Sequence, residues 1–319
     1  MSFWQSLFGA APDEERPFPT EEMDEDTRLR RRRDLIKQVR KLEIVTRRIV
    51  NDQLAGSYHS VFKGRGMSFD QVRLYQPGDE IRMIDWNVSA RMEDIYVKQF
   101  IEERELTVFL IVDASASQYF GTGGKSKREA AAELGAMLAF SAIKNNDRVG
   151  LIIFTDQIEV FVPPKKGRKH VLRVIAEILE FEPRRTGTNI AQAVEYFGRM
   201  CKRSSVAFLI SDFQDAGWVR PLHVACRRHD VIPIALVDSA ESDLPDMGTV
   251  WVEDPETGEV MLVDTGRGAR RKFKAEADRI EAHREKLFRK LKVDHVRVET
   301  DKSYLQPLVN YFRLRAKRF

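Results

Sequence analysis

The chain has 319 residues, 43% of them hydrophobic and 32% charged, enough for one large domain or two modest ones with a sizeable core. Lysine and arginine exceed aspartate and glutamate by only 4, a balance that points to neither nucleic acid nor an anionic membrane as the principal partner. Two cysteines exclude a disulfide framework and a cysteine-rich zinc site, and no apolar run approaches the ~18 residues of a membrane span.

The first stretch, MSFWQSLFGAAP, lacks the basic flank of a secretory signal. With the acidic, proline-bearing run that follows, it reads as a flexible segment over 1–26. A cytoplasmic protein is expected, and the lone thiols Cys201 and Cys226 fit a reducing compartment. From Arg28 the sign reverses. Leu35, Val39, Leu42, Val45 and Ile49 recur at helical spacing, predicting a long basic helix with one buried stripe. Short alternating segments such as SFDQVRLY and IYVKQF, punctuated by Gly64, Gly66 and Pro77-Gly78, then predict a small β-rich module. Helix and module together are taken as a unit over 27–104.

The period changes at Leu106. LTVFLIV is a continuous apolar run, as expected of a strand buried on both faces. A helix is predicted from about Lys127 to Lys144, with Ala131, Leu134, Leu138 and Ala142 facing inward. RVGLIIF and QIEVFV read as a hairpin whose second strand is an antiparallel edge. Helices near 167–181 and 189–202, strand VAFLIS, a helix near 217–229 and strand VIPIALV continue the alternation. A hairpin around Asp254-Pro255 and a charged helix from about Arg270 to Leu291 read as an insertion near 248–292. VDHVRV closes the unit 105–300, and a basic helix occupies 301–319. Alternating strands and helices with right-handed crossovers predict an α/β fold with a mostly parallel sheet covered on both faces.

In such sheets ligands bind beyond the carboxyl ends of the strands. Two predicted strands end there in carboxylates, in Asp113-Ala114-Ser115-Ala116-Ser117 and in Ser211-Asp212. Two buried carboxylates repel, so a cation is expected to compensate. Thr186-Gly187-Thr188-Asn189, just before a helix, offers a further hydroxyl. The donors Asp113, Ser115, Ser117, Thr188 and Asp212 are all hard oxygens, which selects Mg²⁺, or Mn²⁺ and Ca²⁺, over zinc or copper.

This pattern resembles the metal-ion-dependent adhesion site of von Willebrand factor A domains. The resemblance implies that Asp113, Ser115, Ser117, Thr188 and Asp212 hold a metal whose remaining position accepts an acidic side chain of a protein partner. Gly56-Ser57-Tyr58-His59-Ser60, the run Arg73-Leu74-Tyr75-Gln76-Pro77-Gly78-Asp79-Glu80-Ile81-Arg82-Met83-Ile84-Asp85-Trp86, and Ala90-Arg91 resemble the signature of the domain-of-unknown-function 58 family. That resemblance covers roughly 40–240 and implies an A-type domain behind an upstream module, working beside a MoxR-type AAA+ ATPase. The stretch from Arg73 to Arg91 is read as a salt-bridged aromatic plug with Trp86 largely buried; a partner surface is its alternative.

A metal-dependent, non-enzymatic adaptor is therefore expected, with no nucleic acid and no transmembrane segment. Two alternatives stand beside it. One is a scaffold whose metal only stabilises the rim. The other is a nucleotide hydrolase using Gly123-Gly124-Lys125-Ser126, although Tyr119 occupies the position where a phosphate loop needs its first glycine.

Overall fold

The computed structural model of the protein describes residues 25–50, 54, 58, 61, 68–92, 94–101, 105–121, 126–183, 185–253 and 258–317. The chain begins with helix α1 (Glu25–Ile49) and a two-stranded antiparallel hairpin, β1 (Ser68–Leu74) with β2 (Tyr96–Ile101). Between the hairpin strands lies a single-turn helix, α2 (Trp86–Ser89), capped by the Asp85 carboxylate, which accepts from the amides of Asn87 and Val88.

The body alternates in order β3 (Thr107–Asp113), α3 (Lys127–Lys144), β4 (Arg148–Phe154), β5 (Ile158–Lys165), α4 (Arg168–Glu180), α5 (Ile190–Met200), β6 (Val206–Ser211), α6 (Val219–Cys226) and β7 (Asp230–Val237). A four-residue helix α7 (Ser239–Ser242), the hairpin β8 (Thr249–Glu253) with β9 (Val260–Asp264), and α8 (Arg267–Leu291) follow. Strand β10 (Val296–Glu299) and α9 (Leu305–Ala316) complete it. The hairpin turn at 254–257 and the segment Gly123–Lys125 lie outside the described residues.

Six strands form the central sheet in the order β10-β7-β6-β3-β4-β5. All neighbours are parallel except β4 and β5, so the expected α/β class, mostly parallel with an antiparallel edge, is what the protein adopts. Period-two alternation along the strands feeds two separate cores. Val108, Leu110 and Val112 pack toward α1, α3, α4 and α9 on one face. Phe109 and Ile111 pack toward α5, α6 and Phe288 of α8 on the other. Gly150 faces Phe109 so closely that an added Cβ would lie 2.6 Å from the ring, which fixes the need for glycine there.

At the outer edge, β5 carries Pro163 and Pro164 where its pairing with β4 shifts register. The base of the sheet is pinned by Asp147, which accepts from the Leu106 amide (2.9 Å) and the Tyr58 hydroxyl (3.1 Å).

Two expectations about helices need correction. Val45 is 50% exposed. The buried line of α1 runs instead through Val39, Glu43 and Thr46 to Val50, positions that follow the 3.6-residue turn more closely. Glu43 tolerates burial because the Arg168 guanidinium meets it with two hydrogen bonds, at 2.5 and 2.8 Å, and this partner holds its carboxyl below the usual range. The second correction concerns α3, which is buried nearly all round. It is sandwiched between the sheet and the layer formed by α1 and α4, so it shows no single inward stripe.

A candidate cation site at the strand ends

The chain leaves β3 for β4 on one side and β6 for β7 on the other, so the carboxyl ends of β3 and β6 flank the point where strand order reverses. Asp113 ends β3 and is 2% exposed. Its Oδ2 accepts from Ser211 Oγ at 2.6 Å and its Oδ1 from the Ser115 amide at 3.0 Å. The turn that follows aims Ser115 and Ser117 at one another, their hydroxyl oxygens 3.0 Å apart.

Asp212 follows β6. The next residue, Phe213, has φ +56°, a left-handed conformation that costs a non-glycine residue roughly 1–2 kcal/mol. Its ring is held against Trp218 and Phe288 at 5.4 and 5.3 Å. Aromatic packing thus fixes the sharp turn that leaves Asp212 facing the rim.

The loop bearing Thr188 is tied to the same rim from both sides. The Ala116 amide donates to the Thr186 carbonyl and the Asn189 amide to the Thr155 carbonyl, each at 2.9 Å. Asn189 then caps α5 through the Gln192 amide. Of the five candidate donors, Asp113, Ser115, Ser117 and Asp212 are linked by hydrogen bonds or by direct charge interaction. Thr188 is half-buried on the adjoining loop.

Three groups at the rim were not anticipated. Lys127, the first residue of α3, is fully buried, and its Nζ lies 3.0 Å from Asp212 Oδ2 and 2.6 Å from Glu241 Oε1. Glu241, on α7, is the additional acidic residue that the sequence reading did not find. Gln118 is also fully buried; its Nε2 reaches Ser117 Oγ at 3.3 Å and Asp212 Oδ2 at 3.4 Å, while its Oε1 has no hydrogen-bond partner among the described residues. A lysine heading the apolar helix KREAAAELGAMLAF was a visible signal. Glu241 gave none, because it sits 114 residues away on a four-residue helix.

The charges are unevenly served. Burial and then Asp212 push the Asp113 carboxyl up to about 7. Burial opposes the charge of Asp212 too, but the adjacent Lys127 ammonium outweighs it and holds that carboxyl below its usual range. Lys127 is raised despite its own burial, by Asp212 and Glu241. Burial raises Glu241, with Lys127 opposing. Among the described residues, Asp212 therefore has a resident cation and Asp113 has hydrogen-bond donors alone. Among the described residues no group of three or more His, Cys, Asp or Glu side chains is placed to hold a metal. A cation here would rest on two carboxylates and on hydroxyls. That donor set is all hard oxygen, and the partnerless Gln118 Oε1 adds one more such atom beside it, so the residues fit a hard divalent ion.

Residues 71–284 match the family model described as protein of unknown function DUF58. The chain belongs to the DUF58 family. An uncharacterized protein of Mycobacterium tuberculosis, Rv1480, is 32% identical to this DUF58 chain over 286 residues, covering 88% of the chain and 89% of the relative. A shorter match, also 32% identical, links it to the uncharacterized protein YeaD of Bacillus subtilis, covering 33% of this chain and 25% of YeaD. Among solved structures, the conserved hypothetical protein BatB from Bacteroides thetaiotaomicron is 19% identical with a TM-score of 0.44, covering 66% of this chain and 99% of BatB. The SpRpn10 VWA domain is 13% identical with a TM-score of 0.35, covering 65% of this chain and 94% of that domain. The strand order of the DUF58 chain is that of a mostly parallel α/β sheet with an antiparallel edge and a switch point between β3 and β6.

The family signature is not the buried plug expected of it. Arg73 and Asp79 pair locally through two hydrogen bonds, at 2.8 and 2.7 Å. Trp86 is 64% exposed, as are Ile81 at 70%, Leu74 at 53% and Met92 at 53%. Arg82 and Arg91 face solvent as well. A single-turn helix between two strands has too little surface beneath it to bury an indole, so the burial usual for tryptophan does not apply. His59 and its neighbours Gly56, Ser57 and Ser60 lie outside the described residues.

Proposed function

We propose that this DUF58 chain is a non-enzymatic interaction protein, and that its strand-end rim binds one divalent cation, Mg²⁺ before Mn²⁺ or Ca²⁺, through Asp113, Ser115, Ser117, Thr188 and Asp212. Family membership and fold support the coarser half, a protein-interaction role. The observation that carries the finer half is Asp113: a buried carboxylate, repelled by a second one, with hydroxyls and, among the described residues, no cationic side chain bonded to it. A cation held by these residues would supply the positive charge that an acidic side chain of a partner seeks. The chain's own residues build that site. Ser211 fixes Asp113, Lys127 keeps Asp212 ionised, and the turn at Phe213 holds both at one rim. The partner class is a protein presenting an acidic side chain, and a MoxR-type AAA+ ATPase in the cytoplasm is the partner we propose first.

Lys127 favours a second reading, a structural rim in which its ammonium is the permanent cation and no metal is needed. One experiment separates the two. Calorimetry of the full chain with Mn²⁺ is expected to give one site, abolished in Asp113→Ala, and pull-down of an AAA+ partner should weaken sharply with chelator and in Ser115→Ala or Thr188→Ala. Equal Mn²⁺ heats in wild type and Asp113→Ala, or partner capture indifferent to confirmed metal removal, would leave only the structural rim.

A further inference from the structure

The parallel strands have a second end, opposite the rim, and His229 lies there, one residue before β7. It is 5% exposed, and neither ring nitrogen has a hydrogen-bond partner among the described residues. Its ring packs on Phe197 at 4.6 Å between centroids. Burial, and then Arg228, depress its proton affinity. Leaving both ring nitrogens unsatisfied in the interior is costly, and native proteins rarely do so without a ligand or water to complete them.

His229 forms part of the lining of a cavity of about 570 Å³ between α5 and α6, within the ~300–1,000 Å³ usual for small-molecule sites. Three arginines line the same cavity, Arg199 from the end of α5, Arg220 from the start of α6, and Arg228 beside the histidine. None of the three forms a salt bridge among the described residues. Glu195 is the acidic side chain in the lining, which leaves two positive charges in excess. Val194 and Val224 add an apolar wall, and Val224 is 59% exposed.

Guanidinium forks suit planar or tetrahedral oxyanions. An excess of two charges matches a phosphate monoester, which carries about −1.5 to −2 at neutral pH. An apolar wall beside the arginines suits a molecule with a phosphate at one end and a hydrophobic body at the other. We propose that the cavity between α5 and α6 is a binding site for a small organic phosphate, held by Arg199, Arg220 and Arg228, with His229 in the wall behind them. None of the residues lining this cavity belongs to the cation rim, so the proposal does not rest on a partner gripped there.

The test uses the full chain, phenyl phosphate as probe, and the imidazole resonances of its 6 histidines. Phenyl phosphate at millimolar concentration should shift the His229 signals and leave those of His170 in place. Binding should weaken about tenfold in Arg228→Gln and again in Arg199→Gln, as expected for loss of a charge-assisted hydrogen bond. Both arginines are exposed, so these variants should fold. Inorganic phosphate should bind the same residues more weakly, because it cannot use the Val194 and Val224 wall. A His229 signal unmoved by phenyl phosphate, affinity unchanged in both arginine variants, or inorganic phosphate binding as tightly as the ester would each overturn the proposal. So would a glutamate oligopeptide that binds there more tightly than the ester, since it would make the groove a peptide surface.

Discussion

At the strand-end rim the charged groups are buried and answer one another; on the β1–β2 hairpin they face water, and the conspicuous exposed side chains are apolar. Lys127, Asp212 and Glu241 form a network in which Lys127 has no exposure at all. Arg73 and Asp79 make a geometrically better pair, yet their side chains are 39% and 19% exposed. The difference teaches where energy resides. Removing one member of a buried network strands the others without water, whereas an exposed pair exchanges one set of hydrogen bonds for another. The rim is rigid and costly to alter, while the hairpin can change its surface residues freely and still fold.

Lys127→Met should break this contrast most severely. It leaves Asp212 and Glu241 buried without their cation and should cost about 3–5 kcal/mol in chelator, read from urea denaturation. If the rim also binds a divalent ion, Mn²⁺ should restore part of that loss in the variant. Absence of any recovery would identify the lysine as the site's own counter-ion.

A smaller effect is expected at the base of the sheet. Burial pushes the Asp147 carboxyl up to about 6, above the ~3.9 of an unfolded aspartate. The folded state therefore holds this proton more tightly than the unfolded one. Its contribution to stability is full below about pH 4 and is lost as pH rises through 6. Asp147→Asn keeps an acceptor for the Leu106 amide and can donate to the Tyr58 oxygen. It should match wild type near pH 4 and exceed it by about 1–2 kcal/mol above pH 7, discounting for residual solvent contact. A constant difference across that range would show that Asp147 does not titrate there.

The smallest expected change is on the hairpin. Trp86→Ala should alter stability by about 0.5 kcal/mol or less, as for other solvent-facing positions. If partner capture falls in the same variant while its melting curve is unchanged, the exposed apolar cluster is a second contact surface. A loss of several kcal/mol would mean that the indole packs against something in solution, and the contrast between the regions would disappear.

Most of the architecture was legible because the strands announce themselves. VFLIV and VAFLI are apolar without interruption, and a carboxylate follows the first directly and the second after one serine. That pattern singled out Asp113 and Asp212, whereas Thr188 was read from the loop before a helix and the set of five from the family resemblance. What escaped were contacts between residues distant in sequence. Lys127 meets Asp212 across 85 positions and Glu241 across 114, and no local period encodes either meeting. Val45 and Trp86 failed for a different reason. Both were judged from residue type and spacing, but burial depends on what another element places opposite, and among the described residues nothing covers Trp86. The buried Glu43 shows the converse, a charge brought inside α1 by Arg168 from a helix 125 residues on.

Pro163 and Pro164 on β5 bear on how this molecule meets others. Two consecutive residues without an amide hydrogen sit at the outermost strand, just where the ladder slips register. A strand from another chain laid along that border would find donors missing and the pleat out of step. Growth of the sheet by annealing a neighbour is thereby discouraged on that side, in a protein whose interior strands are as sticky as any aggregating segment. Visitors are turned toward loops and helix faces, where side-chain chemistry rather than backbone pairing decides who stays.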